Sequence, residues 1–214
     1  MADPVLTHGY CTVDDLREQL GDLERKSLSE RQIIRTINAA SRAIDEHTDR
    51  RFWADTEPVT RLFQVPACDG ELWLPEDIAS TTGLAIATSD GTAYNTTWDA
   101  ADYQLWPYRA NTPGSTYGGW WKIESTRGLR FAIPNAHSRT GYFPVQITAR
   151  FGWAFRPPQI EEACILIATA LFKRKDAPYG VAQFGDIAAV QVVRTDKHVQ
   201  ELLWPFVRDV AMVA

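Results

Sequence analysis

Residues 29–51 read SERQIIRTINAASRAIDEHTDRR and residues 157–175 read PPQIEEACILIATALFKRK, with a long stretch of strand and turn sequence between them. In the first segment Ile33, Ile37, Ala40 and Ile44 recur at three- and four-residue intervals, which puts them on one face of a helix. Ser29, with Gln32 three residues on, has capping-box spacing. A helix from Glu30 to Arg50 is about 30 Å long at about 1.5 Å per residue. Arg31, Arg35, Arg42, Asp45 and Asp49 remain for its polar side. The second segment is more apolar. Ile160, Ala163, Cys164, Ile167, Ala168 and Leu171 form a stripe that Ile165, Leu166 and Phe172 widen beyond what one neighbour covers, so this helix is expected at the centre of its unit. Pro157 and Pro158 sit at its start, where a missing amide does no harm, and its charges complement the helix dipole, Glu161 and Glu162 first, Lys173 to Lys175 last.

Working outward, Thr12 precedes a short helix reaching Leu20, with Asp14 and Asp15 in its first turn and Gly21 at its end. From Trp53 the character changes. Val59 to Val65 and Glu71 to Leu74 flank Cys68-Asp69-Gly70, Leu84 to Thr88 precedes Asp90-Gly91, and Trp121 to Glu124 faces Leu129 to Ile133 across Thr126-Arg127-Gly128. These read as successive hairpins. Val145 to Phe151 alternates apolar and polar residues, a strand with one buried face. Seven of the eight tryptophans fall between Phe52 and Phe155, enough for this insert to have a small core of its own. Ser80 to Ile123 is poor in charge and loop-heavy, and its tip, Tyr108 to Gly119, is expected to order only against a partner. After the apolar helix come a loop from Asp176 to Gly185, a short strand-like run from Ala189 to Val193, and a last helix. Asp196 caps that helix, Val199, Leu202, Leu203, Phe206 and Val207 lie along it, and Pro205 kinks it.

The fold class implied is α+β: a small helical bundle carrying a β-rich, Trp-rich insertion between its second and third long helices. Its parts are N-terminal helices at 1–52, the insertion at 53–155, and a central helix, loop and C-terminal partner-binding helix at 156–214.

Composition narrows the function. With 22 Lys and Arg against 27 Asp and Glu, the net charge is −5, which disfavours a general nucleic-acid binder or a protein held on anionic membrane. Cys11, Cys68 and Cys164 are odd in number and widely spaced, as in a reducing compartment. Met1 to Tyr10 lacks a basic and an apolar region, and no run of about 18 apolar residues occurs, so a soluble protein made in the cytosol is expected. No phosphate loop, His-Glu-x-x-His, Cys-x-x-Cys or nucleophile elbow is present. Asp45, Glu46, His47 and Asp49 are the nearest approach to a metal set, but His47 points off the face that Asp45 and Asp49 share. A non-enzymatic protein without cofactor or metal follows. Lys173-Arg174-Lys175 reads as helix-end charge, with a patch for an acidic neighbour or a phosphate as the sharper alternative.

Several segments resemble one family. Thr12-Val13-Asp14-Asp15-Leu16, Ala39 to Asp45 and Arg50-Arg51-Phe52, then Asp102 to Pro107, Val145 to Ala154, Pro157 to Ala163 and Pro178 to Gly185, are similar in order to the head-to-tail connector, or adaptor, proteins of long-tailed bacteriophages. The resemblance implies a structural virion protein of the neck, made in the host cytoplasm. It implies a ring of twelve subunits below the portal protein, with double-stranded DNA passing through the lumen and a stopper or tail-completion protein on the platform. A closing ring needs two different flanks on each copy. Ile33, Ile37, Arg42, Ile44, Ile165, Leu166 and Phe172 are the expected ring interface. Val199, Leu203, Trp204, Phe206 and Val207 are the expected portal-binding segment, and removal of residues 196–214 is expected to leave the rest folded. Acidic residues are expected to outnumber basic ones on the lumen wall. The alternatives are a carbohydrate-binding or hydrolase-accessory domain using exposed tryptophans with Asp90, Asp99 and Asp102, or another capsid or tail component.

Overall fold

The computed structural model describes residues 4–21, 29–63, 70–89, 93–129, 131, 145–174 and 186–208. They divide into two compact units, one of residues 4–52 and 156–208, the other of residues 53–155. The chain is α+β, with the helices in the first unit and an antiparallel sheet in the second.

In the helical unit, α1 (Val13–Leu20) opens with the full capping box: the Thr12 hydroxyl accepts from the Asp15 amide at 3.1 Å and the Asp15 carboxylate accepts from the Thr12 amide at 2.7 Å. Helix α2 (Glu30–Thr48) starts without one. The Ser29 side chain makes no cap bond; its carbonyl accepts from the Gln32 amide at 2.9 Å and the Ile33 amide at 3.3 Å. Asp49 ends α2 in the left-handed region, φ 51°, short of Arg50. Ile33, Ile37, Ala40 and Ile44 are fully buried along its inner face, against α3 (Pro158–Arg174) and α4 (Asp186–Thr195).

Residues 189–193 are helical within α4, correcting the strand-like expectation. Ala189, Val192 and Val193 also satisfy helical spacing and are buried, and packing on neighbouring helices outweighs the weak β preference of a short Val-rich run. Asp196 caps α5 (Lys197–Leu203) as expected, accepting from the His198 and Val199 amides. The helix stops at Leu203, and Trp204–Phe206 forms a 3₁₀ turn around Pro205, whose ring nitrogen has no hydrogen to continue the α-helical ladder.

The second unit is a six-stranded sheet of β1 (Val59–Phe63), β2 (Glu71–Thr88), β3 (Thr96–Trp98), β4 (Tyr103–Trp106), β5 (Trp120–Ser125) and β6 (Val145–Phe151). The order is β1-β6-β2-β5-β4, with β3 beside β2. Successive hairpins describe it incompletely. β1 pairs with distant β6 rather than β2, and the segments read as separate strands at 71–74 and 84–88 are one long β2. β5 pairs with β2 and β4; its expected partner at 129–133 lies partly outside the described residues, and Leu129 and Phe131 are not in a strand. β2 spans the sheet by breaking register between Trp73 and Ile78 and between Ser80 and Ala85. Pro75, which has no amide to give the ladder, lies in the first break. β6 alternates buried and half-buried residues throughout.

The sheet core gathers Leu72, Leu74, Ile78, Ile86, Ile123 and Phe151, with Trp98 stacked on Phe131 at 4.5 Å. Buried Trp153 donates its indole N–H to the equally buried Asp77 carboxylate at 2.5 Å. Gly152, at φ 106°, leaves only 1.9 Å between a would-be Cβ and the Trp53 carbonyl oxygen, so the strand-end crossing tolerates no side chain. The 108–119 segment is held by its own chain rather than awaiting a partner. The Asn111 amide donates to the Tyr117 carbonyl at 2.9 Å, and the Asn111 side chain donates to the Ala79 carbonyl at 2.9 Å.

Candidate interaction surface

The residues expected to meet other molecules fall into two sets. Ile33, Ile37, Ile44, Phe172, Val199, Leu203 and Phe206 are buried inside the chain's own helical unit. Phe206 packs edge-on against Phe52 at 5.8 Å, Phe52 packs in the same way on Tyr10, and the Phe206 carbonyl accepts from Arg50 at 2.9 Å. Ile165 and Leu166 on α3 are half-buried, as are Arg42 and Val207. Trp204 is 77% exposed on the 3₁₀ turn. The turn explains the contrast with its neighbours: it sends Leu203 and Phe206 inward and leaves Trp204 outward. Periodicity in sequence identifies buried positions without saying whether the chain itself or a second molecule buries them.

Arg42 belongs to a polar cluster. Its guanidinium pairs with Asp45 at 3.0 Å and donates to the His8 carbonyl at 3.2 Å. The Tyr10 hydroxyl donates to Asp45 and accepts from the Phe52 amide at 2.9 Å. Burial pushes the Asp45 carboxyl up to about 6, against the opposing pull of Tyr10, Arg42 and Arg51. Burial, together with the neighbouring Asp45, also pushes the Tyr10 hydroxyl up, so the hydroxyl keeps its proton and donates it to the Asp45 carboxylate. Asp49 is turned elsewhere, with Arg208 at 3.8 Å. His47 is pushed down by burial and by Arg194. It lines a cleft of about 120 Å³ with Glu46, Val190, Val193 and Arg194, well below the about 300–1,000 Å³ of small-molecule sites. Among the described residues no group of His, Cys, Asp and Glu is placed to hold a metal, and no helix is long and apolar enough to cross a membrane.

The sheet presents two unlike outer surfaces. Across β1, β6, β2 and β3 the register lines up Leu62, Gln146, Ala87 and Thr97, and beside them Thr60, Thr148 and Ala85. All seven are exposed or half-buried and none is charged. Across β2, β5 and β4 the register lines up Trp73, Lys122 and Trp106. There the Lys122 ammonium lies 5.2 and 5.4 Å from the two indoles and 3.0 Å from Glu71. These rings thus face a cation of their own chain, while Trp106 keeps 38% of its surface exposed. Asp102 accepts from the Asp99 amide at 2.8 Å and so holds a turn; Asp90 lies outside the described residues. The Leu62-Gln146-Ala87-Thr97 row was not singled out by sequence, because pairing between distant strands creates it; Tyr108, 69% exposed beyond Trp106, begins the tip segment expected to meet a partner. Of the Lys173 to Lys175 cluster, Lys173 is exposed; the Arg174 side chain and Lys175 lie outside the description.

No protein-family profile and no curated protein matches the chain. Solved structures do. A chain in "Neck of empty GTA particle computed with C6 symmetry" is similar at TM-score 0.53 and 18% identity, over 90% of this chain and 93% of that one. A chain in "Virion of native gene transfer agent (GTA) particle" is similar at TM-score 0.54 and 19% identity, over the same shares. At these identities the likeness is one of fold, and it runs through nearly the full length of each chain.

Proposed function

We propose that this chain is a structural neck protein of a tailed-phage-like particle: an adaptor whose copies form a ring below the portal, pass double-stranded DNA and carry the stopper or tail-completion protein. The observation that carries this reading is the full-length fold likeness to a chain of a particle neck, covering 90% of one chain and 93% of the other. A neck computed with sixfold symmetry accommodates rings whose copy number is a multiple of six, twelve among them. The surfaces left open suit the role. Identical copies of net charge −5 repel one another except where charge is absent, and the Leu62-Gln146-Ala87-Thr97 row provides such a face. On the helical unit, half-buried Ile165 and Leu166 remain available to a neighbour, with Arg42 engaged by Asp45 and the His8 carbonyl, and Trp204 is the anchor for the portal, a large ring on a fixed turn. Twelve copies at −5 each carry −60, which suits a lumen through which DNA slides without adhering.

The test is electron microscopy of the purified protein with and without its portal protein. Twelve-fold rings seated on the portal are expected. Isolated monomers that never associate with the portal would remove the adaptor reading.

A further inference from the structure

Cys11 and Cys164 are 153 positions apart in sequence and meet inside the helical unit with their sulfurs 3.4 Å apart. They are 1% and 0% exposed, and both are free thiols. Cys11 lies in the segment leading into α1, and Cys164 lies on α3. Ser41 orders the site from α2: its hydroxyl accepts from the Tyr10 amide at 3.0 Å, donates to the Ile37 carbonyl at 2.8 Å and lies 3.6 Å from the Cys164 sulfur. A disulfide has sulfurs about 2.05 Å apart. The two sulfurs therefore stand little more than about 1 Å beyond bonding distance.

We propose that Cys11 and Cys164 are a disulfide-forming pair, which staples the N-terminal segment to α3 when the protein meets a disulfide oxidant such as oxidised glutathione. Access comes through the N-terminal segment. Residues 5–8 are exposed and are held on the helices by the Thr7 amide to Asn38 at 3.2 Å, Asn38 to the Val5 carbonyl at 2.9 Å and Arg42 to the His8 carbonyl at 3.2 Å. Arg156 holds the Gly9 carbonyl at 2.8 Å. Opening these bonds, together with those that the Tyr10 amide makes to Ser41 and the Tyr10 hydroxyl makes to Asp45, frees the segment that carries Cys11. The Cys11 sulfur attacks oxidised glutathione, forming a mixed disulfide and releasing one glutathione. The Cys164 thiolate then attacks the Cys11 sulfur and releases the second. Two S–H bonds are lost and one S–S bond forms, and two electrons and two protons end on two glutathione thiols. Ser41, 3.6 Å from the Cys164 sulfur, keeps that thiol within reach of the Cys11 sulfur for the second step.

This inference stands on the geometry of the helical unit and is independent of the neck reading. The test is incubation of the reduced Cys68→Ser chain with oxidised glutathione, followed by alkylation, intact mass and peptide mapping. The expected result is a loss of about 2 Da, a Cys11–Cys164 cross-linked peptide, and a melting temperature higher by about 5–15 °C that dithiothreitol reverses. Cys11→Ala removes the rise. The map is repeated on the unaltered chain, so the outcome does not depend on the Cys68 replacement. Two thiols that remain free to alkylate, separate glutathione adducts, or a link between two chains would each overturn the proposal.

Discussion

Asp45 is a carboxylate placed where water is scarce, and its neighbours only partly compensate. The Tyr10 hydroxyl and the Arg42 and Arg51 guanidiniums favour the ionised form, yet burial dominates and the group titrates at about 6 instead of the ordinary 3.8. The sign of the consequence is fixed by linkage. A folded-state value above the unfolded one means that the folded chain holds the proton more tightly, so the stabilising contribution is complete below about 3.8 and is lost as pH rises through about 6. Asp45→Asn, which keeps an acceptor for Tyr10 without the charge, should remove this dependence. In thermal unfolding from pH 4.5 to 7.5, the melting temperature of the native chain relative to the variant is expected to fall as pH rises. A difference constant across that range would show that Asp45 does not titrate there. The sequence placed Asp45 on a polar helix side and weighed it as a metal ligand. The contact with Tyr10 that defines its role joins residues 35 positions apart, beyond the reach of helical spacing.

At the scale of elements, the C-terminal segment departs furthest from expectation. Val199, Leu203 and Phe206 are core residues of the helical unit, and the chain beyond them remains tied down: the Arg208 amide donates to the Thr48 carbonyl at 2.9 Å and its side chain donates to the Asp49 carbonyl at 3.1 Å. Removal of residues 196–214 is therefore expected to unfold that unit rather than leave it intact. Point changes resolve the element further. Leu203→Ala and Phe206→Ala should cost about 2–5 kcal/mol each, whereas Trp204→Ala, at a site 77% exposed, should fall within about 0.5 kcal/mol. Urea unfolding followed by circular dichroism measures all three, and equal costs at 203, 204 and 206 would contradict the assignment of Trp204 to the surface. The same logic explains α4. Its Val-rich run has spacing compatible with two structures, and the hydrophobic faces of α2 and α3 select the helix.

For the whole molecule, the distinction between the two sides of the 3₁₀ turn separates folding from assembly. If the proposed neck role holds, Trp204→Ala should weaken attachment to the portal at least tenfold while the melting temperature stays unchanged, as read by co-sedimentation of the purified protein with portal; unchanged attachment would remove Trp204 as the portal anchor. What the sequence determined by itself was local. Helical spacing, the Thr12 and Asp196 caps and the alternation in β6 each depend on residues within a turn or two of one another, and together they established a chain of helices around strands. Tertiary structure alone decided which strands pair, because β1 meets β6 and β2 meets β5 across intervening strands, at separations that no short-range pattern encodes. It also decided what the apolar residues are for. Burial inside one chain and burial against a partner draw on the same hydrophobic effect and leave the same signature in sequence. Only the folded chain separates Phe206, covered by Phe52, from Trp204, which is 77% exposed.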